Sequence, residues 1–368
     1  MASIEALPTE LLSAIFTLSI NSTLAATRPT SKEFYLPSLT TSYDTVRNIS
    51  TTCTSWRRIS CSLKDLWTRV HLDTAMEISA EAIQDLHAVF ARSNTRSLHF
   101  DFTGPSGRSN IINNAKKWAS LISSDAANRC KSLRIACSSE DAELVLKLLS
   151  RYGPPKRLQC VHIIQESGSP TIDLSLVDYT RLQLLSVRGD GVLPVGLPHW
   201  GLDNVVLQDV SISQRELRML ITAVAVRHLT LRRVQVPPGL DFDTATPDDY
   251  AEWLDYYASH ARLEYLELDD IIDEFPTTSS PNLNHASFAR HILIPYTART
   301  LKRVKLTNVS TVMGNGLASL WDQPLLAYPE VKRVVIRFKD ENSTASLRNA
   351  QIDFADVTKR VFPRAHLL

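Results

Sequence analysis

From residue 67 to residue 336 one pattern recurs: an apolar residue, two variable ones, an apolar residue, one variable, and a third apolar residue. It stands as Trp67/Val70/Leu72, Cys130/Leu133/Ile135, Leu158/Val161/Ile163, Leu182/Leu185/Val187 and Leu202/Val205/Leu207. It continues as Val226/Leu229/Leu231, Leu263/Leu266/Leu268, Leu301/Val304/Leu306 and Val331/Val334/Ile336, with a weaker copy at Thr95/Leu98/Phe100. The two-residue step closing each copy is the period of a β-strand. Between copies the chain carries helix signals. Ser213-Gln214-Arg215-Glu216 is a capping box ahead of Leu217, Leu220 and Ile221. Thr246-Pro247-Asp248-Asp249 opens a helix through Trp253, Leu254 and Tyr257, with proline at the first helical position. Ser139 starts a third helix through Leu144–Leu149, ended by Gly153-Pro154-Pro155.

Strand and helix alternating at intervals of roughly 20 to 38 residues resembles a leucine-rich repeat. Val210, Val234, Ile271 and Val309 stand where that family commonly places asparagine, so the resemblance is to the irregular, fungal-type repeat. An unrelated α/β domain with parallel strands is the alternative. Residues 342–368 are expected to form a capping helix, since an open solenoid needs a polar end.

A second pattern occupies the N-terminal region. Leu11, Leu12, Ile15 and Phe16 recur at helical spacing behind Thr9, the expected N-cap, and Glu10, which suits the positive end of the helix dipole. Trp56 and Ile59 stand three apart on a later helix, followed by Leu66-Trp67. The run Leu7-Pro8-Thr9-Glu10-Leu11-Leu12-Ser13-Ala14-Ile15-Phe16, then Cys53-Thr54-Ser55-Trp56-Arg57-Arg58-Ile59 and Leu66-Trp67, resembles the F-box. That three-helix module docks on the SKP-type adaptor of cullin-RING ubiquitin ligases. The stretch 19–45, rich in Ser and Thr and holding Pro29 and Pro37, is expected to be an exposed loop inserted between the first two helices.

The expected architecture is therefore α/β: N-terminal all-α F-box helices over residues 1–72, then an irregular leucine-rich-repeat solenoid with a curved parallel sheet over 73–368. The resemblance implies a substrate-receptor subunit of an SCF-type ligase without a catalytic residue of its own. Its partners would be the SKP-type adaptor, through it a cullin, and an unknown target protein. The implied adaptor-binding set is Leu7, Pro8, Leu11, Leu12, Ile15, Phe16, Trp56, Ile59, Leu66 and Trp67. The alternative role is an SKP-binding scaffold outside any ligase; the alternative for the residues themselves is a helical cap on the following domain.

Composition narrows this further. A formal net charge of +1 argues against general nucleic-acid binding. No run approaches the ~20 apolar residues of a membrane span, and Leu11–Ile20 lacks the basic flank of a signal peptide. Five scattered cysteines without a Cys-x-x-Cys pair fit reduced thiols in cytoplasm or nucleus. No phosphate-loop, zinc-protease or serine-hydrolase motif is present, and no cofactor is expected. The residue between the last two apolar positions of each copy should face away from the core. Those positions hold His71, His99, Arg134, His162, Glu267 and Lys305, the expected target-binding set. A metal site is disfavoured because Arg134 stands among the histidines.

Overall fold

The computed structural model describes residues 7–26, 40–75, 78–104, 112–151, 153, 155–165, 181–192, 202–212, 226–235, 262–271, 300–310, 328–339 and 359–367. The chain divides into two compact units, Met1–Leu182 with Pro194–Gly196, and Gln183–Leu193 with Leu197–Leu368.

The first unit opens with three helices, α1 (Thr9–Ala26), α2 (Thr40–Thr52) and α3 (Thr54–Ser62), and a 3₁₀ turn over Lys64–Thr68. Four strands follow, β1 (Arg69–Asp73), β2 (Leu98–Thr103), β3 (Cys130–Ala136) and β4 (Cys160–Ile164). Helices α4 (Ala80–Ser93), α5 (Ile112–Leu121), α6 (Ser124–Asn128) and α7 (Ser139–Ser150) lie between them in sequence. The strands pair in parallel and in chain order. Serine side chains cap α4, α6 and α7; Ser138, one residue before the expected start of α7, accepts from the Asp141 amide at 3.2 Å.

The second unit is described through its strands: β5 (Leu184–Val192), β6 (Asn204–Ser211), β7 (His228–Arg232), β8 (Tyr265–Asp269), β9 (Arg303–Val309), β10 (Arg333–Phe338) and β11 (His366–Leu367). These too pair in parallel and in chain order. The fold class is α/β with an open arrangement of parallel strands. The expected helices at 213–221 and 246–257 lie outside the described residues, as does 342–358 of the expected capping helix over 342–368, whose end instead forms strand β11 beside β10. The end of the second unit is closed by Tyr328 and Phe362, both fully buried with ring centroids 5.1 Å apart.

The last two apolar positions of every copy lie on a strand, and the pairing explains why. In the first unit Val70, Phe100, Leu133 and Val161 share one register row and Leu72, Phe102, Ile135 and Ile163 the next. In the second, Leu185, Val205, Leu229, Leu266, Val304 and Val334 do the same. All of these side chains are buried. Parallel strands about 4.8 Å apart stack equivalent side chains, so one apolar position per strand becomes a continuous ridge.

Three expectations need correction. The weak copy at Thr95/Leu98/Phe100 is displaced by two residues: Phe100, not Leu98, pairs with Val70 and Leu133. Leu98, Phe100 and Phe102 are all buried, so alternation alone admits two frames, and a register shift after Leu98 selects one. Thr9 is the first helical residue and not the cap, because the Leu12 amide already donates to the Pro8 carbonyl at 3.1 Å. The stretch 19–45 is helical at both ends, since α1 runs to Ala26 and α2 begins at Thr40; residues 27–39 lie outside the described residues. Buried Ile20 carries α1 onward, and hydroxyls on these helices bond back to carbonyls, as Thr17 does to Ser13 at 2.9 Å.

The second unit repeats one backbone device after its strand leucines. Gly189, Asp209, Arg233, Asp270 and Asn308 each have positive φ, at 145°, 56°, 45°, 48° and 52°. The residue after each of the last four is Val210, Val234, Ile271 or Val309, all buried. A left-handed residue there lets the chain present two outward positions before turning inward again, which is why the step from Leu207 to Val210 is three and not two. For a non-glycine residue this conformation costs about 1–2 kcal/mol. Asn308→Gly is therefore expected to leave stability within about 0.5 kcal/mol, while Asn308→Val lowers it by about 1–2 kcal/mol, read from chemical denaturation of the full chain.

Candidate functional site

Helices α1, α2 and α3 build a small core around two aromatic anchors. Phe16 is buried against Trp56, ring centroids 5.0 Å apart and planes at 59°. The Cys53 sulfur caps α3 by accepting from the Trp56 amide at 3.4 Å, which accounts for the three-residue spacing between them. Trp67 is buried and donates its indole N–H to the Ser60 carbonyl at 2.8 Å, while the Arg92 guanidinium lies 4.3 Å over its ring.

This core divides the expected adaptor-binding set. Leu12, Phe16, Ile59, Leu66 and Trp67 are buried inside the module, and Trp56 and Leu7 are partly covered. Pro8, Leu11 and Ile15 are exposed, Leu11 at 52% and Ile15 at 43%. Leu18, which the sequence reading did not single out, is 66% exposed. Its seven-residue spacing from Leu11 is the signal that could have found it. Among the described residues these three are the exposed large hydrophobics, and all lie on one helix. So α1 is apolar on two sides: Leu12, Phe16 and Ile20 face α2 and α3, while Leu11, Ile15 and Leu18 face outward.

The outward rows of the strands form two charged clusters, one in each unit. In the first, His71, Asp101, Arg134 and His162 occupy a single row across β1 to β4. The Asp101 carboxylate, fully buried, takes Arg134 Nη1 at 2.6 Å on one oxygen and has His71 Nδ1 at 3.4 Å from the other. His99 is not in this row. It stands two residues back, between Arg69 and Ser132, with its Nδ1 2.6 Å from the Ser132 hydroxyl. Burial, then the charges of Arg69 and Lys131, lower the His99 imidazole to about 4, so it is neutral near pH 7. His162 is buried.

In the second unit Glu267 is the centre. Arg232 Nη2 and Lys305 Nζ donate to its Oε1 at 3.0 and 2.8 Å, and the Tyr265 hydroxyl to its Oε2 at 2.6 Å. Burial pushes the Glu267 carboxyl up, but hydrogen bonds from Lys305 and Tyr265 and the charge of Arg232 outweigh it and hold it below the usual range. One strand-step on, Asp269 accepts from the Thr307 hydroxyl at 2.9 Å and the Asn308 amide at 2.8 Å. Of the six expected target-binding residues, Lys305 is the most open at 36% of its side chain. The others are partly or fully buried, and the carboxylates Asp101 and Glu267 are engaged by their own row neighbours. Stacking at strand spacing places each outward side chain against its row neighbours, which excludes water and obliges charges to pair.

Among the described residues no helix is long and apolar enough to cross a membrane, and no group of His, Cys, Asp and Glu is arranged to hold a metal ion. Burial pushes the Cys137 thiol up to about 12, with Asp141 adding to it, and raises Cys130 as well, which leaves both poor nucleophiles. No protein-family model matches the chain, and no curated protein matches it.

Two outcomes are expected of the charge rows. Asp101→Asn leaves Arg134 buried without its anion and should destabilise the protein by about 3–5 kcal/mol, measured by denaturant midpoint. Glu267 has a lowered folded value, so its contribution is fully present above the ordinary glutamate range and is lost as pH falls through that lowered value. Glu267→Gln should therefore show a shallower loss of melting temperature on acidification than the parent.

Proposed function

We propose that the chain is a substrate-receptor subunit of an SCF-type ubiquitin ligase. Its α1–α3 module would be an F-box docking on the SKP-type adaptor, and its parallel strands an irregular leucine-rich-repeat solenoid with a curved sheet that receives the target. The observation carrying this reading is the outward face of α1, with Leu11, Ile15 and Leu18 at 52%, 43% and 66% exposure on a helix whose opposite side is already packed. A three-residue apolar stripe, the exposed large hydrophobics among the described residues, supports a protein partner. Leu11 and Ile15 belong to the run over residues 7–16 that resembles the F-box, and Leu18 extends the stripe just beyond it. Such a subunit works by effective concentration, holding a target beside the ubiquitin-carrying enzyme, and needs no catalytic side chain.

Covering three half-exposed aliphatic side chains contributes on the order of 1–2 kcal/mol each. Leu11→Asp combined with Leu18→Asp should abolish capture of the adaptor while leaving the melting temperature unchanged, because neither side chain is in the core. Full adaptor capture by that double variant defeats the assignment. Cullin co-purifying with the parent chain distinguishes a ligase subunit from a scaffold that binds the adaptor alone.

A further inference from the structure

Away from the α1 face and the charge rows, the first unit holds a cavity of about 180 Å³ walled by α2, α3, the 3₁₀ turn, β1 and α4. Four arginines reach it, Arg47, Arg57, Arg69 and Arg92, against two carboxylates, Glu81 and Asp85. They come from different elements: Arg47 from α2, Arg57 from α3, Arg69 from β1 and Arg92 from α4. Nothing in local sequence brings them together; the packing of α2 and α4 around Trp67 does.

The carboxylates offset only part of this charge, two against four. Arg47 Nη2 lies 4.0 Å from Glu81 and 3.9 Å from Asp85, beyond hydrogen-bond length, with all three side chains exposed to solvent. Arg57 is oriented by its Nε bond to the Ser50 carbonyl at 3.0 Å, which leaves both of its Nη groups for another acceptor. Arg92 is held flat, 4.3 Å over the Trp67 ring, a contact that fixes its plane while using none of its N–H donors. Burial lowers the Arg69 guanidinium from its usual value, as expected of a cation short of solvation.

Pre-oriented guanidinium forks around a polar hollow match one ligand chemistry. A metal cation would be repelled, and a neutral molecule would offer Arg57 and Arg92 no charged acceptor. A single carboxylate would engage one fork of several. We propose that this cavity binds a compact, multiply charged phosphate compound, with Arg57 and Arg92 as the principal donors and Arg47 and Arg69 completing the cradle. A hollow of this small volume suits a free small molecule better than a segment of protein chain, which would need an extended groove.

The test is isothermal titration of the full chain with inorganic tripolyphosphate in low-chloride buffer. One saturable site is expected, weakening steeply with added salt. Arg57→Gln and Arg92→Gln should each reduce affinity at least about tenfold. Glu81→Gln with Asp85→Asn should tighten binding several-fold by removing competing anions. This last variant alters only exposed groups, so it keeps the test decisive if an arginine variant misfolds. The absence of saturable heat, or affinity indifferent to the carboxylate variant, overturns the proposal. So does preference for a phosphoserine peptide over tripolyphosphate, which would make the cavity a protein-docking site instead.

Discussion

The rest of the molecule hangs on the stacking of aliphatic side chains in register across parallel strands. In each unit the same two inward positions recur from strand to strand, and every neighbour buries the one before it. No single strand could bury its own face. A ridge such as Leu185, Val205, Leu229, Leu266 and Val304 supplies a continuous apolar surface. Because a slip of one residue would turn a whole strand inside out, this stacking also sets the register on which the outward rows depend.

The outward rows inherit their crowding from that register. Asp101 and Glu267 sit where water has little access, Asp101 held by Arg134 and Glu267 by Arg232 and Lys305, all from adjacent strands. Such pairs add little net stability compared with apolar residues of similar size, but they penalise wrong neighbours heavily, since a slipped strand would strand a buried charge. The left-handed residues Asp209, Arg233, Asp270 and Asn308 serve the same regularity from the backbone side. Each returns the chain to the core at Val210, Val234, Ile271 or Val309. Several also pair outward: Arg233 with Asp209, and Lys339 with Asp270 at 2.8 Å.

The N-terminal helices obey a different constraint. In α1 the inward side is satisfied by Phe16 on Trp56 and by Ile20, so the outward leucines gain nothing from the fold that carries them. An apolar stripe kept at the surface has a solubility cost and no folding benefit, which is the physical ground for reading it as a contact surface. Behind it, Trp67 ties α3 to α4 by bonding Ser60 and receiving Arg92 on its face, and so builds the wall of the arginine-lined cavity.

Strand positions were legible in the sequence wherever apolar residues alternate once, because burial on a parallel sheet leaves a period that no other element imitates. They became ambiguous at Leu98, Phe100 and Phe102, where three alternating apolar residues fit two frames and only pairing with Val70 and Leu133 decides. The Cys53–Trp56 spacing and the helical repeat of Leu11, Leu12, Ile15 and Phe16 were equally legible, as local geometry. Which of those residues face outward and which face the core was not, since exposed and core leucines have the same chemistry; tertiary packing separated Leu11, Ile15 and Leu18 from Leu12 and Phe16. Charge pairing was hidden for a related reason. Asp101 meets Arg134, and Glu267 meets Arg232 and Lys305, across more than thirty residues of chain. Sequence determines which groups are charged and how often a core position returns, while the distance between two charges exists only once the strands have stacked.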